Sequence, residues 1–143
     1  MTSADHEILV VDDDIDIREA TAFVLEDAGY RVSTAENGAR ALDRLHGGAA
    51  PSLILLDLMM PIMDGWQFLT EVAREPRLAA IPIVAVTGAG AATLRTMPLE
   101  ADAILEKPVN LDLLLATVQR YCEASPPPGD SRRAGRGEDD VER

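Results

Sequence analysis

The chain has 143 residues, 47% of them hydrophobic, and its 25 Asp+Glu against 13 Lys+Arg give a net charge of -12. That length supports one hydrophobic core without disulfides or a structural metal, and the charge opposes nonspecific attraction to nucleic acid or an anionic membrane. The lone cysteine, Cys122, excludes an intramolecular disulfide and suits a reducing compartment, and no Cys/His cluster has zinc spacing.

The N-terminus, MTSADHEILVVDDD, lacks the basic start and long apolar stretch of a secretory signal, and no run approaches the roughly 18 to 20 apolar residues of a membrane span. A soluble, cytoplasmic protein is expected, with cations and proteins as partners rather than nucleic acid or membrane. His6 in this arm and His46 further on have no metal-binding or catalytic companion in the sequence.

Ile8 to Val11 form the first apolar run, followed by Ile17, Ala20, Val24 and Ala28 along one face of a helix that Gly29 can end. Tyr30 to Thr34 is a weaker strand, and Ala39 to Leu45 a second helix. Leu53 to Leu56 make a third strand, closed by Asp57, and Asp64 to Arg74 a third helix on which Trp66 and Phe68 are packing residues. Ile83 to Val86 and Ile104 to Leu105 are the last two strands. Between them, residues 88–101 should carry a crossover helix. Gly88, Gly90 and Pro98 all fall there, and an interior proline costs about 3 kcal/mol, so a short or irregular fourth helix is expected. Asn110 can cap a fifth helix reaching Tyr121. From Ser125 the chain reads SPPPGDSRRAGRGEDDVER, a solvated tail in which EDDVE offsets the charge of RRAGRG. The domain reading is therefore an arm over 1–6, one domain over 7–122 and a polar tail over 123–143.

Continuous rather than alternating apolar runs suit strands covered on both faces, and their alternation with helices predicts a doubly wound five-stranded parallel α/β sheet. Ligands of such sheets bind at the carboxyl ends of strands. Asp12-Asp13-Asp14 follow the first strand and Asp57 ends the third. Carboxylates brought together at 4 Å repel by roughly 4 kcal/mol per pair at an effective dielectric near 20, which a hard divalent cation relieves. Oxygen-only ligands point to Mg²⁺, or Mn²⁺, over zinc. Thr87 closes IVAVT and Lys107 closes ILEKP. A metal, an ammonium and a hydroxyl on one rim suit a phosphoryl group, with a carboxylate as nucleophile. Asp14 is better read as a helix cap.

ILVVDDD, LILLDLMMPIMDG, VAVTG and LEKP, in this order and over roughly residues 7–122, resemble the receiver domain (CheY-like) of bacterial two-component response regulators. The resemblance implies a flavodoxin-like strand order 2-1-3-4-5 and a phosphoryl group accepted by Asp57 from a phosphohistidine on a histidine kinase or phosphotransfer protein. It implies that Asp13, Asp57 and the main-chain carbonyl of Met59 bind Mg²⁺, with Asp12 acting through water. Lys107 would contact the phosphoryl group, its bond to Pro108 cis, and Thr87 would swing towards it. The chain would be a signalling switch rather than a turnover enzyme, with self-phosphorylation and self-dephosphorylation only in a limited sense. With about twenty polar residues after Tyr121, it would signal through an unidentified protein target or a phosphorelay. Relatives carry Tyr or Phe three residues before the lysine, where this chain has Ile104. Two other readings compete. A pseudo-receiver without phosphorylation draws on Ile104. A haloacid-dehalogenase-type phosphohydrolase would use Asp12 as nucleophile and Asp14 as acid/base, but lacks a second acidic pair after Lys107, where Asp112 is the only folded acid nearby.

Overall fold

The computed structural model describes residues 5–88 and 101–124. The expected irregular segment, apart from its end residues Gly88 and Ala101, and the tail from Ser125 lie outside the described residues. The elements run β1 (Glu7–Val11), α1 (Ile15–Asp27), β2 (Arg31–Ala35), α2 (Gly38–His46), β3 (Leu53–Asp57), α3 (Gly65–Ala73), α4 (Pro76–Ala79), β4 (Ile83–Thr87), β5 (Ala103–Glu106) and α5 (Leu111–Ala124). All five strands are parallel, in the order β2-β1-β3-β4-β5, the flavodoxin-like order that the resemblance implies.

The apolar runs divide by the strand period of two. Leu9, Val11, Ile54, Leu56 and Ala85 face one side, with Leu42 and Leu45 of α2 and Phe68, Leu69 and Val72 of α3. Ile8, Val10, Leu53, Leu55 and Val84 face the other, with Leu25 of α1 and Leu114, Val118 and Cys122 of α5. Each fully buried Leu, Ile or Phe stabilises the fold by about 1.5–3 kcal/mol. A one-residue slip of β1 or β3 would exchange the two faces and so repack both cores at once.

Local signals end the helices where expected. Gly29, at φ 102°, follows α1. The Asp14 carboxylate caps α1 through the N–H groups of Asp16 and Ile17, at 2.9 and 3.2 Å, and Asn110 caps the last helix through Leu113 N–H at 3.0 Å. Two features differ from the sequence expectation. α4 is an extra four-residue turn with Pro76 in its first turn, too short to leave a periodic pattern. The apolar face of α1 is not closed: among its residues only Leu25 is buried. Ile17, Ala20 and Val24 instead line an apolar groove of about 520 Å³ shared with Val109, Leu111 and Leu114 at the start of α5. Residues of both helices thus border one groove on the same sheet face. Among the described residues no helix is long and apolar enough to cross a membrane.

Candidate functional site

Strand register decides what meets at the carboxyl rim. Val11 pairs with Leu56, and Asp57 with Val86, so Asp12 leaves β1 beside Asp57, and Thr87 stands one step beyond it. Thr87 pairs with Glu106, and the Thr87 carbonyl accepts the N–H of Lys107 at 2.9 Å. Lys107 shares the side of β5 taken by Leu105, so its ammonium reaches across β4 to the acids. Nζ lies 3.4 Å from Asp12 Oδ2 and 3.5 Å from Asp57 Oδ2. Asp12, Asp57 and Thr87 are buried, whereas Asp13 is exposed. The Lys107–Pro108 bond is cis.

Carboxylate oxygens of Asp12, Asp13 and Asp57 lie within 4.8 Å of one another. Three carboxylates against one ammonium leave two negative charges uncompensated, at separations where each repulsion is worth roughly 4 kcal/mol. Burial, then the neighbouring charge of Asp12, push the Asp57 carboxyl up to about 6, against the opposing pull of Lys107 and of the Met59 N–H, with Asp13 raising it further. An all-oxygen donor set with this excess charge fits a hard divalent cation of the Mg²⁺ or Mn²⁺ type.

Two loops hold the acids. Asp12 Oδ1 accepts the Asp14 N–H at 2.9 Å, folding β1 directly into the cap of α1. The Asp14 carboxylate is thus occupied by its own helix and stands outside the acid cluster, which removes the support for an acid/base role there. After β3, Met59 donates its N–H to Asp57 Oδ1 at 3.2 Å. The loop returns through Ile62, at φ 70°, to Asp64, which forms a reciprocal capping box with Gln67. Gly65 N–H donates to the Leu58 carbonyl at 2.9 Å. A Cβ at Gly65 would fall 2.7 Å from Leu58 Cα, so only glycine lets α3 start this close to the strand that carries Asp57.

Of the remaining sequence candidates, Trp66 is half-buried against the core and Phe68 fully buried within it, both as packing residues. Ile104 is 42% exposed. His46 Nε2 lies 2.6 Å from Glu75, joining α2 to the approach to α4, and His6 is buried with Nδ1 2.8 Å from Ser52 Oγ. Neither histidine belongs to the acidic cluster.

Sequence reasoning missed three supports. Arg18 Nη1 donates to the Asp12 carbonyl at 2.7 Å, bracing the turn that presents Asp12 and Asp13. Only its position one helical turn after the Asp14 cap hinted at this. Asp102 exchanges hydrogen bonds with Ile83 at 2.7 and 2.8 Å, while Tyr121 O–H donates to the Asp102 carbonyl at 2.9 Å. Together they register β5 on β4, and so set the reach of Lys107. Arg77 donates to the carbonyls of Leu45 and Ala49 and caps α2 from α4. Each contact links residues distant in sequence or turns on a side chain's direction, and leaves no periodic mark.

Comparison with known proteins is consistent with this arrangement. A family model described as "Response regulator receiver domain" matches residues 8–119. The chain is 38% identical over 128 residues to an uncharacterized 14.6 kDa protein of Leptolyngbya boryana, covering 88% of this chain and 97% of that one. It is 36% identical over 115 residues to the response regulator Rre1 of Synechocystis, covering 78% of this chain and 49% of Rre1, so that it spans about half the length of that relative. Among solved structures, the receiver domain of the sensor histidine kinase PA1611 of Pseudomonas aeruginosa, with a magnesium ion coordinated in its active-site cleft, superimposes with a TM-score of 0.76. The identity is 26%, covering 82% of this chain and 98% of that one.

Proposed function

This chain belongs to the response regulator receiver family of two-component signalling, and we propose that it is a phosphorylation-controlled switch with Asp57 as phosphoacceptor. In this reading residues 7–122 are the receiver, preceded by an arm over 1–6 and followed by a polar tail over 123–143. The observation that carries the proposal is the ammonium of Lys107 held 3.4 and 3.5 Å from Asp12 and Asp57, ninety-five positions from the first of them.

A carboxylate oxygen of Asp57 attacks the phosphorus of a phosphohistidine on a histidine kinase or phosphotransfer protein. The P–O bond forms as the P–N bond breaks, and the electron pair leaves with the imidazole nitrogen. Asp13, Asp57 and the Met59 carbonyl would hold Mg²⁺, or Mn²⁺, with Asp12 as the water-mediated partner, and the ion would supply charge neutralisation for the phosphoryl oxygens. Lys107 turns from the two carboxylates to a phosphoryl oxygen, and the Thr87 hydroxyl donates to another. Burial of Asp57 on a strand fixed on both sides presents the nucleophile with little reorganisation. The limited self-phosphorylation and self-dephosphorylation of such a site make it a signalling domain, and its output is a contact with a protein target or a phosphorelay.

Incubation with acetyl phosphate and Mg²⁺, read by intact-protein and peptide mass spectrometry against an EDTA control, should add one phosphoryl group at Asp57, absent in Asp57→Asn. An adduct at Asp12 would favour the phosphohydrolase reading. No adduct, with Trp66 fluorescence unmoved by Mg²⁺, would make the chain a constitutive binding module.

A further inference from the structure

A second polar hollow lies at the carboxyl end of the edge strand β2, outside the acidic cluster. It measures about 340 Å³ and is lined by Arg18, Thr34, Glu36, Arg40, Asp43 and Arg44. Three of the 13 Lys+Arg of a chain with net charge -12 are among its lining residues. The volume falls at the lower end of the roughly 300–1,000 Å³ of small-molecule sites.

These guanidinium groups are only partly engaged. Arg40 meets Glu36 and Asp43 at 3.9 and 4.0 Å, with all three side chains exposed by 64% or more, a class of pair that contributes little. Arg44 forms no ion pair among the described residues. Arg18 commits Nη1 to the Asp12 carbonyl and forms no ion pair among the described residues.

We propose that this hollow binds a small phosphomonoester, with its phosphate on Arg18, Arg40 and Arg44 and its hydroxyl or amino groups on Glu36 and Asp43. Guanidinium forks match pairs of phosphate oxygens bidentately. Three guanidinium groups against two carboxylates favour a compact dianion, while the same carboxylates repel a longer polyphosphate and the acidic face of a protein. None of its carboxylates belongs to the Asp12, Asp13, Asp57 cluster, although Arg18 also braces the turn that presents Asp12 and Asp13, so the test variant is placed at Arg44, away from that turn.

The test is a ¹⁵N NMR titration of the full chain in EDTA with inorganic phosphate, adenosine 5′-monophosphate and adenosine. Saturable shifts are expected at the amides of Thr34 to Glu36 and at the arginine Nε–H signals, with the nucleotide binding more tightly than phosphate and adenosine leaving them unmoved. Arg44→Gln, its fold verified by the same spectrum, should weaken nucleotide binding about tenfold. The proposal is overturned by shifts confined to Lys107 and its neighbours, by adenosine acting like its monophosphate, or by phosphate binding as tightly as the nucleotide. Equal affinity in Arg44→Gln, or no saturation below about 10 mM, also overturns it.

Discussion

Gly65→Ala tests the idea that close approach of α3 to β3 positions the nucleophile. The added methyl would lie 2.6 Å from Leu58 Cδ2, 2.7 Å from Leu58 Cα and 3.1 Å from the Asp57 carbonyl oxygen. The Leu58 side chain can turn away, but its Cα cannot. Reaching an ordinary carbon–carbon contact of about 3.5 Å requires a displacement of roughly 0.8 Å, shared between the start of α3 and the residue next to Asp57. Overpacking of this kind costs about 1–3 kcal/mol. The better helix propensity of alanine returns well under about 1 kcal/mol, so a net loss of about 1–2 kcal/mol is expected in urea unfolding. Since a misplacement of about 1 Å costs on the order of 100-fold in rate, a share of it at Asp57 should slow labelling by acetyl phosphate about tenfold at saturating Mg²⁺. A variant as stable as wild type that labels at the same rate would refute the reasoning, because it would show that α3 can withdraw without disturbing the acceptor.

In metal-free buffer Asp57→Asn should melt at or above the wild-type temperature, since it removes a buried charge that Asp12 repels; a clear drop would count against the clustered-acid picture. Burial holds the His6 imidazole below its usual 6.5, although Asp5 raises it. The unfolded chain therefore takes up this proton first as pH falls. Stability fully present above about 6.5 is lost below it, and the stability gap between wild type and His6→Gln in urea should narrow from about pH 7.5 to about pH 5, a constant gap contradicting a neutral buried ring. Ile62 is 80% exposed at φ 70°, a conformation that costs a β-branched residue roughly 1–2 kcal/mol. Ile62→Gly should therefore stabilise by about 0.5–1 kcal/mol in urea unfolding after the added freedom of the unfolded chain is deducted; destabilisation would mean that the exposed side chain makes a contact worth more than the strain.

The parallel sheet covered on both faces and the helix ends follow from features written locally in this chain, whereas the strand order was given by the family resemblance. Ile8 to Val11 and Leu53 to Leu56 are apolar at every position, which only a strand covered on both faces can use, and Asp14, Asn110 and Gly29 mark helix ends through chemistry confined to a few bonds. Asp12, Asp13, Asp57, Thr87 and Lys107 were legible as a set because parallel strands align their carboxyl ends, so that residues distant in sequence arrive on one rim. What the sequence left open depends on distances between elements. The apolar stripe of Ile17, Ala20 and Val24 has the period of a core face, yet it lines a groove shared with Val109, Leu111 and Leu114. Arg18 beneath Asp12, Asp102 on Ile83 and His6 on Ser52 are single polar contacts whose partners are chosen by side-chain direction in three dimensions. Periodicity records which face of an element is apolar; only the packed chain decides what that face meets.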